Sequence, residues 1–251
     1  MEYKVNWLLS KDIISNLITI LTQKFKLAMK TIIKAILLLS LTLVITSCGK
    51  SDKNSSDLFS DNFDGTTLNS MWKWNNKPGN WDVGQTRDGW LTLNGDFGGN
   101  IWCEDETSKI YQELGENKDF DVSTRLYCEW GNNQSDIAGI IVKFQGSDEW
   151  VLIKLWMHGN LTGRLEFQSK CNDIISPVPG YFIDDGKAEI YLRIQKIGND
   201  YTGYYKKPGD NNWTTIGTTQ GNTSLPMHVG LFGGVDQGSG NLLVQFDYFQ
   251  L

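Results

Sequence analysis

The chain is poor in histidine, proline and cysteine: 251 residues include only 2 His, 5 Pro and 4 Cys. His158 and His228 are too few for a histidine-rich metal centre, and the absence of a His-Glu-x-x-His pair excludes a zincin. A Ser-His-Asp triad would have to use one of these two without a nucleophile elbow. Gly238-Ser239-Gly240 lacks the third glycine and the strand–helix setting of a dinucleotide loop. Cations are also in the minority, 23 Lys and Arg against 29 Asp and Glu, for a net charge of −6. Phosphate binding needs clustered Lys and Arg, so no nucleic-acid partner is expected. What the chain does have is 10 Trp, 9 Tyr, 11 Phe and 26 Gly within a hydrophobic fraction of 40%. That is the composition of a folded chain, not a disordered one.

The first part reads as an address. Lys30 and Lys34 precede a short apolar stretch, Ala35 to Val44, and small residues lead to Cys48, the layout of a secretory signal. The stretch falls short of the roughly 20 residues of a membrane span. Ile45-Thr46-Ser47-Cys48 resembles the bacterial lipobox. The resemblance implies cleavage before Cys48 and a diacylglycerol on its thiol, a lipid anchor of palmitate-type chains. The other reading is a plain signal peptide or a spanning helix with a chance cysteine. Each buried methylene contributes about 0.8 kcal/mol, so two or three chains hold a protein on a membrane. Met29-Lys30-Thr31 is a conventional start, which makes 1–28 an upstream extension, 29–47 the signal and 48–57 a polar flexible tether. Gly49 stands where inner-membrane retention uses Asp, and the charges after Cys48 resemble export tags. An outer-membrane location is expected, facing periplasm or cell surface. Removing the first 47 residues leaves 204, with 17 basic and 27 acidic side chains and a net charge of −10.

From 58 to 251 there is no repeat, no second linker and little 3.6-residue periodicity. Period-two alternation recurs instead, between turns rich in Gly, Asn and Asp. Val122, Leu126 and Cys128 alternate with Ser123, Arg125, Tyr127 and Glu129. Val151, Ile153, Leu155 and Met157 alternate with Trp150, Lys154, Trp156 and His158. Ile190, Leu192 and Ile194 alternate with Tyr191, Arg193 and Gln195. Short strands at regular spacing predict an all-β fold, a two-sheet antiparallel β-sandwich or a barrel.

The order of motifs adds a family. Phe59-Ser60-Asp61-Asn62-Phe63-Asp64-Gly65 with Trp72-Lys73-Trp74 comes first, then Gly89-Trp90-Leu91-Thr92-Leu93. Ala138-Gly139-Ile140-Ile141-Val142 and Trp150-Val151-Leu152 follow. Tyr191-Leu192-Arg193-Ile194, Val229-Gly230-Leu231-Phe232 and Phe246-Asp247-Tyr248-Phe249 complete it. This order resembles the C-terminal concanavalin A-like domain of β-xylosidases and its stand-alone bacterial relatives, and implies a jelly-roll sandwich over nearly the whole mature chain. Lys206-Lys207-Pro208-Gly209 departs from the family in one loop. The resemblance also implies a structural calcium ion between the first and last strands, held by Asp61 and Asp247, since calcium takes hard oxygen ligands. Asp64-Gly65 read alone is a turn.

Fold does not fix function, so the side chains opposite the core series must. Arg125, Tyr127, Glu129, Trp150, Lys154, Trp156, His158, Glu166, Gln168, Tyr191, Arg193 and Gln195 are expected on one face. Aromatic planes suit the C–H face of a pyranose, and charged or amide groups meet its hydroxyls. Trp156, His158, Arg193, Tyr191, Glu166, Arg125 and Glu129 are the candidate sugar ligands, with Trp130 at a rim. Ordinary exposed strand residues are the competing reading, because aromatics favour strands anyway. Trp72, Trp74, Trp81 and Trp90 read as packing residues.

A glycosidase needs two carboxyls flanking its bond. Glu104-Asp105-Glu106 resembles the Glu-x-Asp-x-Glu strand of laminarinase-type glucanases without matching it, because adjacent strand residues point to opposite faces. Glu129 and Glu166 are the better pair if the chain is a hydrolase or lyase. Cys103, Cys128 and Cys171 permit at most one bridge, of unassigned pairing.

The expected function is capture of a polysaccharide or oligosaccharide without catalysis, beside glycan-processing enzymes or importers. A glycoside hydrolase or lyase, and an interaction domain without glycan, are the alternatives. A deep groove with two equidistant carboxyls would favour the enzyme, a shallow aromatic platform the binder, a loop-filled face the third.

Overall fold

The computed structural model describes residues 23, 24, 26 and 58–251, except 96–97, 99–100, 102–105, 115–116, 132–134, 160, 172–173, 179–181, 185, 223–226 and 238–241. Side chains of 172–185 and of Gln237 are likewise not described. Residues 1–53 and 54–251 form two compact units. In the first, Gln23, Lys24 and Lys26 are helical and exposed. The expected signal, Cys48 and tether lie outside the described residues. Among the described residues, no helix is long and apolar enough to cross a membrane.

The second unit is built of strands: β1 (Lys73–Asn75), β2 (Trp81–Val83), β3 (Leu91–Gly95), β4 (Ser108–Leu114), β5 (Phe120–Glu129), β6 (Ser135–Phe144), β7 (Trp150–Met157), β8 (Thr162–Cys171), β9 (Ile174–Val178), β10 (Phe182–Asp184), β11 (Lys187–Ile197), β12 (Asp200–Lys206), β13 (Thr214–Gln220), β14 (Met227–Gln237) and β15 (Leu242–Phe246). One sheet of eight strands runs β1-β4-β14-β6-β7-β8-β10, with β9 also on β8. The other, of seven, runs β13-β12-β11-β5-β15-β3-β2. The strand pairs are antiparallel, and the two sheets form the expected concanavalin A-like sandwich. Backbone bonds between Asp61 and Phe249 tie the two ends of the sandwich chain together.

Side-chain parity explains which strands face water. β11 alternates cleanly, with Ala188, Ile190, Leu192 and Ile194 buried and their neighbours half-buried, because only one of its faces meets the core. β6 is buried almost throughout, which is why its sequence is a nearly continuous apolar run. Ala138, Ile140, Val142 and Phe144 face the core between the sheets. Ile137 and Ile141 join a second cluster with Ile101, Trp150, Leu152 and Phe232, on the other side of the same sheet. The second cluster is thus capped from outside, and the backbone bridge between Gly98 and Val235 brings the segment before β4 onto this sheet. Gly139 lets β6 and β7 approach closely: a Cβ there would lie 2.0 Å from the Ile153 carbonyl oxygen. The four packing tryptophans behave as read. Trp72 and Trp90 are buried, and the Trp74 and Trp81 rings lie 5.2 Å apart against the core.

Candidate functional site

The residues expected on one face occupy two. β5 and β11 are neighbours in the seven-stranded sheet, while β7 and β8 are neighbours in the eight-stranded sheet. In all four strands the apolar series enters the shared core. Arg125, Glu129, Tyr191 and Arg193 therefore stand on one outer face, and Trp156 and Glu166 on the opposite one. Glu129 and Glu166 cannot flank a single glycosidic bond, which corrects the carboxyl pair expected from the sequence.

The outer face of the seven-stranded sheet is a half-exposed network. Arg125 is its hub: Nε donates to Glu189 Oε1 at 3.0 Å and Nη1 to Asp247 Oδ2 at 3.1 Å. Its guanidinium lies 5.6 Å from the Tyr191 ring. The Arg87 guanidinium covers Trp90 at 3.5 Å and reaches Glu189 at 4.0 Å. Arg193 donates through Nε to Asp121 Oδ1 at 2.6 Å and stands 4.8 Å from the Tyr204 ring. Lys206 sits 4.7 Å from Tyr191 and 5.2 Å from Trp213. Such contacts contribute about 0.5–1 kcal/mol each at exposed sites. Together they hold Tyr191, Tyr204 and Trp213 in a shallow platform.

The same face ends in a pocket of about 440 Å³ lined by Thr86, Asn94, Glu129, Trp130, Gly131 and Leu243. Tyr127 donates to Glu129, and this bond, helped by burial, pushes the Tyr127 phenol up to about 12. Trp130 lines this pocket with a largely buried ring. It is 5% exposed within the core cluster, and among the described residues its Nε1 has no hydrogen-bond partner. Its indole packs where Gly163 leaves space: a Cβ there would come 3.3 Å from the ring.

The outer face of the eight-stranded sheet is largely covered. Lys154 and Glu166 sit directly across from each other and pair at 3.4 Å, with side chains 2% and 7% exposed. Arg164 approaches Glu166 at 3.2 Å. Burial pulls the Lys154 ammonium below its ordinary range, and Glu166 opposes the shift. Burial raises the Asp236 carboxyl, with Lys154 pulling it down. Trp156 is half-buried against the second cluster. It donates Nε1 to Ser135 Oγ at 2.7 Å, and the His158 ring lies 3.9 Å away.

Both carboxylates expected for calcium have hydrogen-bond partners. Asp61 accepts from the Phe63 amide and the Trp72 indole, both at 2.8 Å, while Asp247 is held by Arg125. Among the described residues no three His, Cys, Asp or Glu side chains group to hold a metal ion. Glu104 and Asp105 lie outside the described residues, as does Cys103. Cys128 is a buried free thiol that burial pushes well up, and burial together with Glu149 raises the Cys171 thiol.

A family model for the β-xylosidase C-terminal concanavalin A-like domain matches residues 60–251. The chain belongs to this family. Solved structures similar to this xylosidase-type sandwich include xylan β-1,4-xylosidase from Bacillus halodurans C-125, at 18% identity and TM-score 0.60, covering 77% of this chain and 39% of that one. The GH43 protein BlXynB from Bacillus licheniformis matches at 16% identity and TM-score 0.60, covering 76% and 38%. The CBM2 module of the evolved Dit of Lactobacillus casei BL23 phage J-1 matches at 11% identity and TM-score 0.52, covering 78% and 95%. These likenesses show the fold. The chain spans less than two-fifths of the length of either Bacillus protein. No curated protein matches it in sequence.

Sequence reasoning missed Arg87, Asn94, Lys206 and the platform role of Tyr204 and Trp213. All but Tyr204 lie outside the alternating strand cores or at strand ends, where period-two patterning says nothing. In β12 a register shift between Gly203 and Tyr204 breaks the alternation.

Proposed function

We propose that this xylosidase-type sandwich is a non-catalytic carbohydrate-binding protein, tethered to the outer membrane through a lipid on Cys48. The glycan lies along the outer face of the seven-stranded sheet. The observation that carries this reading is the roughly 440 Å³ pocket lined by Glu129 and Trp130, which closes the row of Tyr127, Arg125 and Tyr191. Its size is within the about 300–1,000 Å³ of ordinary ligand pockets. Half-exposed rings offer the sugar apolar surface, and Arg193, Glu129 and Asn94 offer donors and acceptors. Four acids of this face are committed to arginines or tyrosine: Glu189 and Asp247 to Arg125, Asp121 to Arg193, Glu129 to Tyr127. That arrangement suits holding a glycan better than protonating its leaving group. The anchoring half of the proposal rests on Lys30 to Cys48 and places captured glycan beside processing enzymes or importers.

The test is a glycan array read for retention and for products. Retention with no new reducing or unsaturated ends supports the proposal. Turnover of any retained glycan would replace it with a hydrolase or lyase, and silence across neutral and acidic glycans would leave an interaction domain.

A further inference from the structure

The platform on the seven-stranded sheet carries three cations, and they are not held alike. In register across the strands, Arg125 of β5, Tyr191 of β11 and Lys206 of β12 form one row. Ser123, Arg193 and Tyr204 form the next. The Tyr191 ring therefore stands between two cations, with the Arg125 guanidinium at 5.6 Å and the Lys206 ammonium at 4.7 Å. Trp213, in the loop between β12 and β13, adds a second ring, 5.2 Å from Lys206 and 5.8 Å from Arg193.

Acids engage two of the three. Arg125 donates to Glu189 and Asp247, and Arg193 donates to Asp121 through Nε and Nη2. Lys206 touches rings instead: among the described residues no carboxylate lies within ion-pair distance of its ammonium. Asp210, the acid nearest to it along the chain, turns back to accept from the Lys207 amide at 3.0 Å. Lys206 is half-buried, its stem laid on apolar surface in the manner of long amphipathic side chains. The rings attract its charge, yet its three N–H donors still call for oxygen acceptors. A carboxylate or sulfate meets such a donor more strongly than a neutral hydroxyl does. A positive group fixed beside Tyr191 and Trp213 thus distinguishes a charged sugar ring from a neutral one of the same shape.

We propose that the platform takes an anionic glycan, and that Lys206 selects it by pairing with a carboxylate or sulfate ester on a sugar ring laid along Tyr204 and Trp213. The inference rests on the reading of this sheet as the glycan face, and it names the class of glycan held there.

The test compares ligands that differ only in charge. Oligouronates are titrated into the full chain at low ionic strength, each beside its methyl ester, which keeps the ring and removes the charge. A second arm sets sulfated oligosaccharides beside their desulfated forms. The charged member of at least one pair should bind about fivefold more tightly, the upper end for a partly exposed ion pair. The margin should shrink at high salt, persist in Lys206→Arg and vanish in Lys206→Gln. A margin in the first arm assigns a carboxylate, and one in the second a sulfate ester; either supports the proposal. Equal affinities within every pair, or an undiminished margin in Lys206→Gln, overturn it. Should Lys206→Gln fail to fold, Lys206→Met makes the same comparison. The failures are distinguishable. A neutral glycan weakened by Tyr191→Ala, with no preference for charge, overturns the role of Lys206 and leaves the glycan face standing. Indifference of every glycan to Tyr191→Ala removes the face as well.

Discussion

The Lys154–Glu166 pair provides the sharpest energetic test. With 3.4 Å between charges, Coulomb attraction at an effective dielectric of 20 is about 5 kcal/mol, most of it offset by the desolvation of both groups. Glu166→Gln keeps shape and removes the compensation, leaving Lys154 with a side chain only 2% exposed. Breaking a buried pair this way costs about 3–5 kcal/mol, and the remaining Asp236 should hold the loss to the lower end of that range. Urea unfolding at pH 7 measures it, and Lys154→Met with Glu166→Gln should recover most of the deficit. The pH dependence has a definite sign. The folded Lys154 value is already below 10.5 through burial, and losing Glu166 lowers it further. Between the folded value and 10.5 the unfolded chain binds more protons, so stability rises with pH, by at most about 1.4 kcal/mol per unit. The variant's deficit should therefore shrink as pH climbs toward 10.5. A deficit below about 1 kcal/mol at pH 7, or one that does not vary with pH, would refute the buried-pair reasoning.

Three further outcomes are expected. Burial holds His228 below its ordinary 6.5, with Lys73, Lys109 and Lys143 adding to this and Glu113 opposing it. Its contribution is therefore complete above 6.5 and lost as pH falls through the folded value. Melting curves of His228→Gln between pH 7 and 5 should lack that part of the acid loss. Gly203→Ala places a Cβ 2.6 Å from the Phe167 ring and should cost about 1–3 kcal/mol by overpacking; a urea midpoint equal to wild type would contradict the close approach. Because Asp61 and Asp247 are spent on Phe63, Trp72 and Arg125, a chelator should leave the melting temperature unchanged. A drop of several degrees would show a cation bound after all.

Much of the fold was legible because alternation reports in and out directly. Val151, Ile153, Leu155 and Met157 enter the core as their period demands. Alternation does not report which of two sheets a strand joins, and that is where the site reading went astray. Arg125 and Glu166 look alike in sequence, each a charge between inward-facing neighbours, yet one faces half-open surface and the other a covered ion pair. Trp130 misled for a related reason: a tryptophan just past a strand end serves equally as rim or core, and Gly163, distant in sequence, made room for the core position. The platform of Tyr204 and Trp213 depends on a register shift and a loop, neither of which carries a periodic signal.

The central claim is that glycan lies on the seven-stranded sheet and is held without being cut. The most direct measurement is the affinity of the array-identified glycan for Tyr191→Ala and Arg193→Ala beside Trp156→Ala, each checked for an unchanged melting curve. The account predicts at least about tenfold weakening, 1.4 kcal/mol, for the first two and less than twofold for the third. Strong loss with Trp156→Ala, and none with Tyr191→Ala and Arg193→Ala, would place the glycan on the opposite sheet and contradict it.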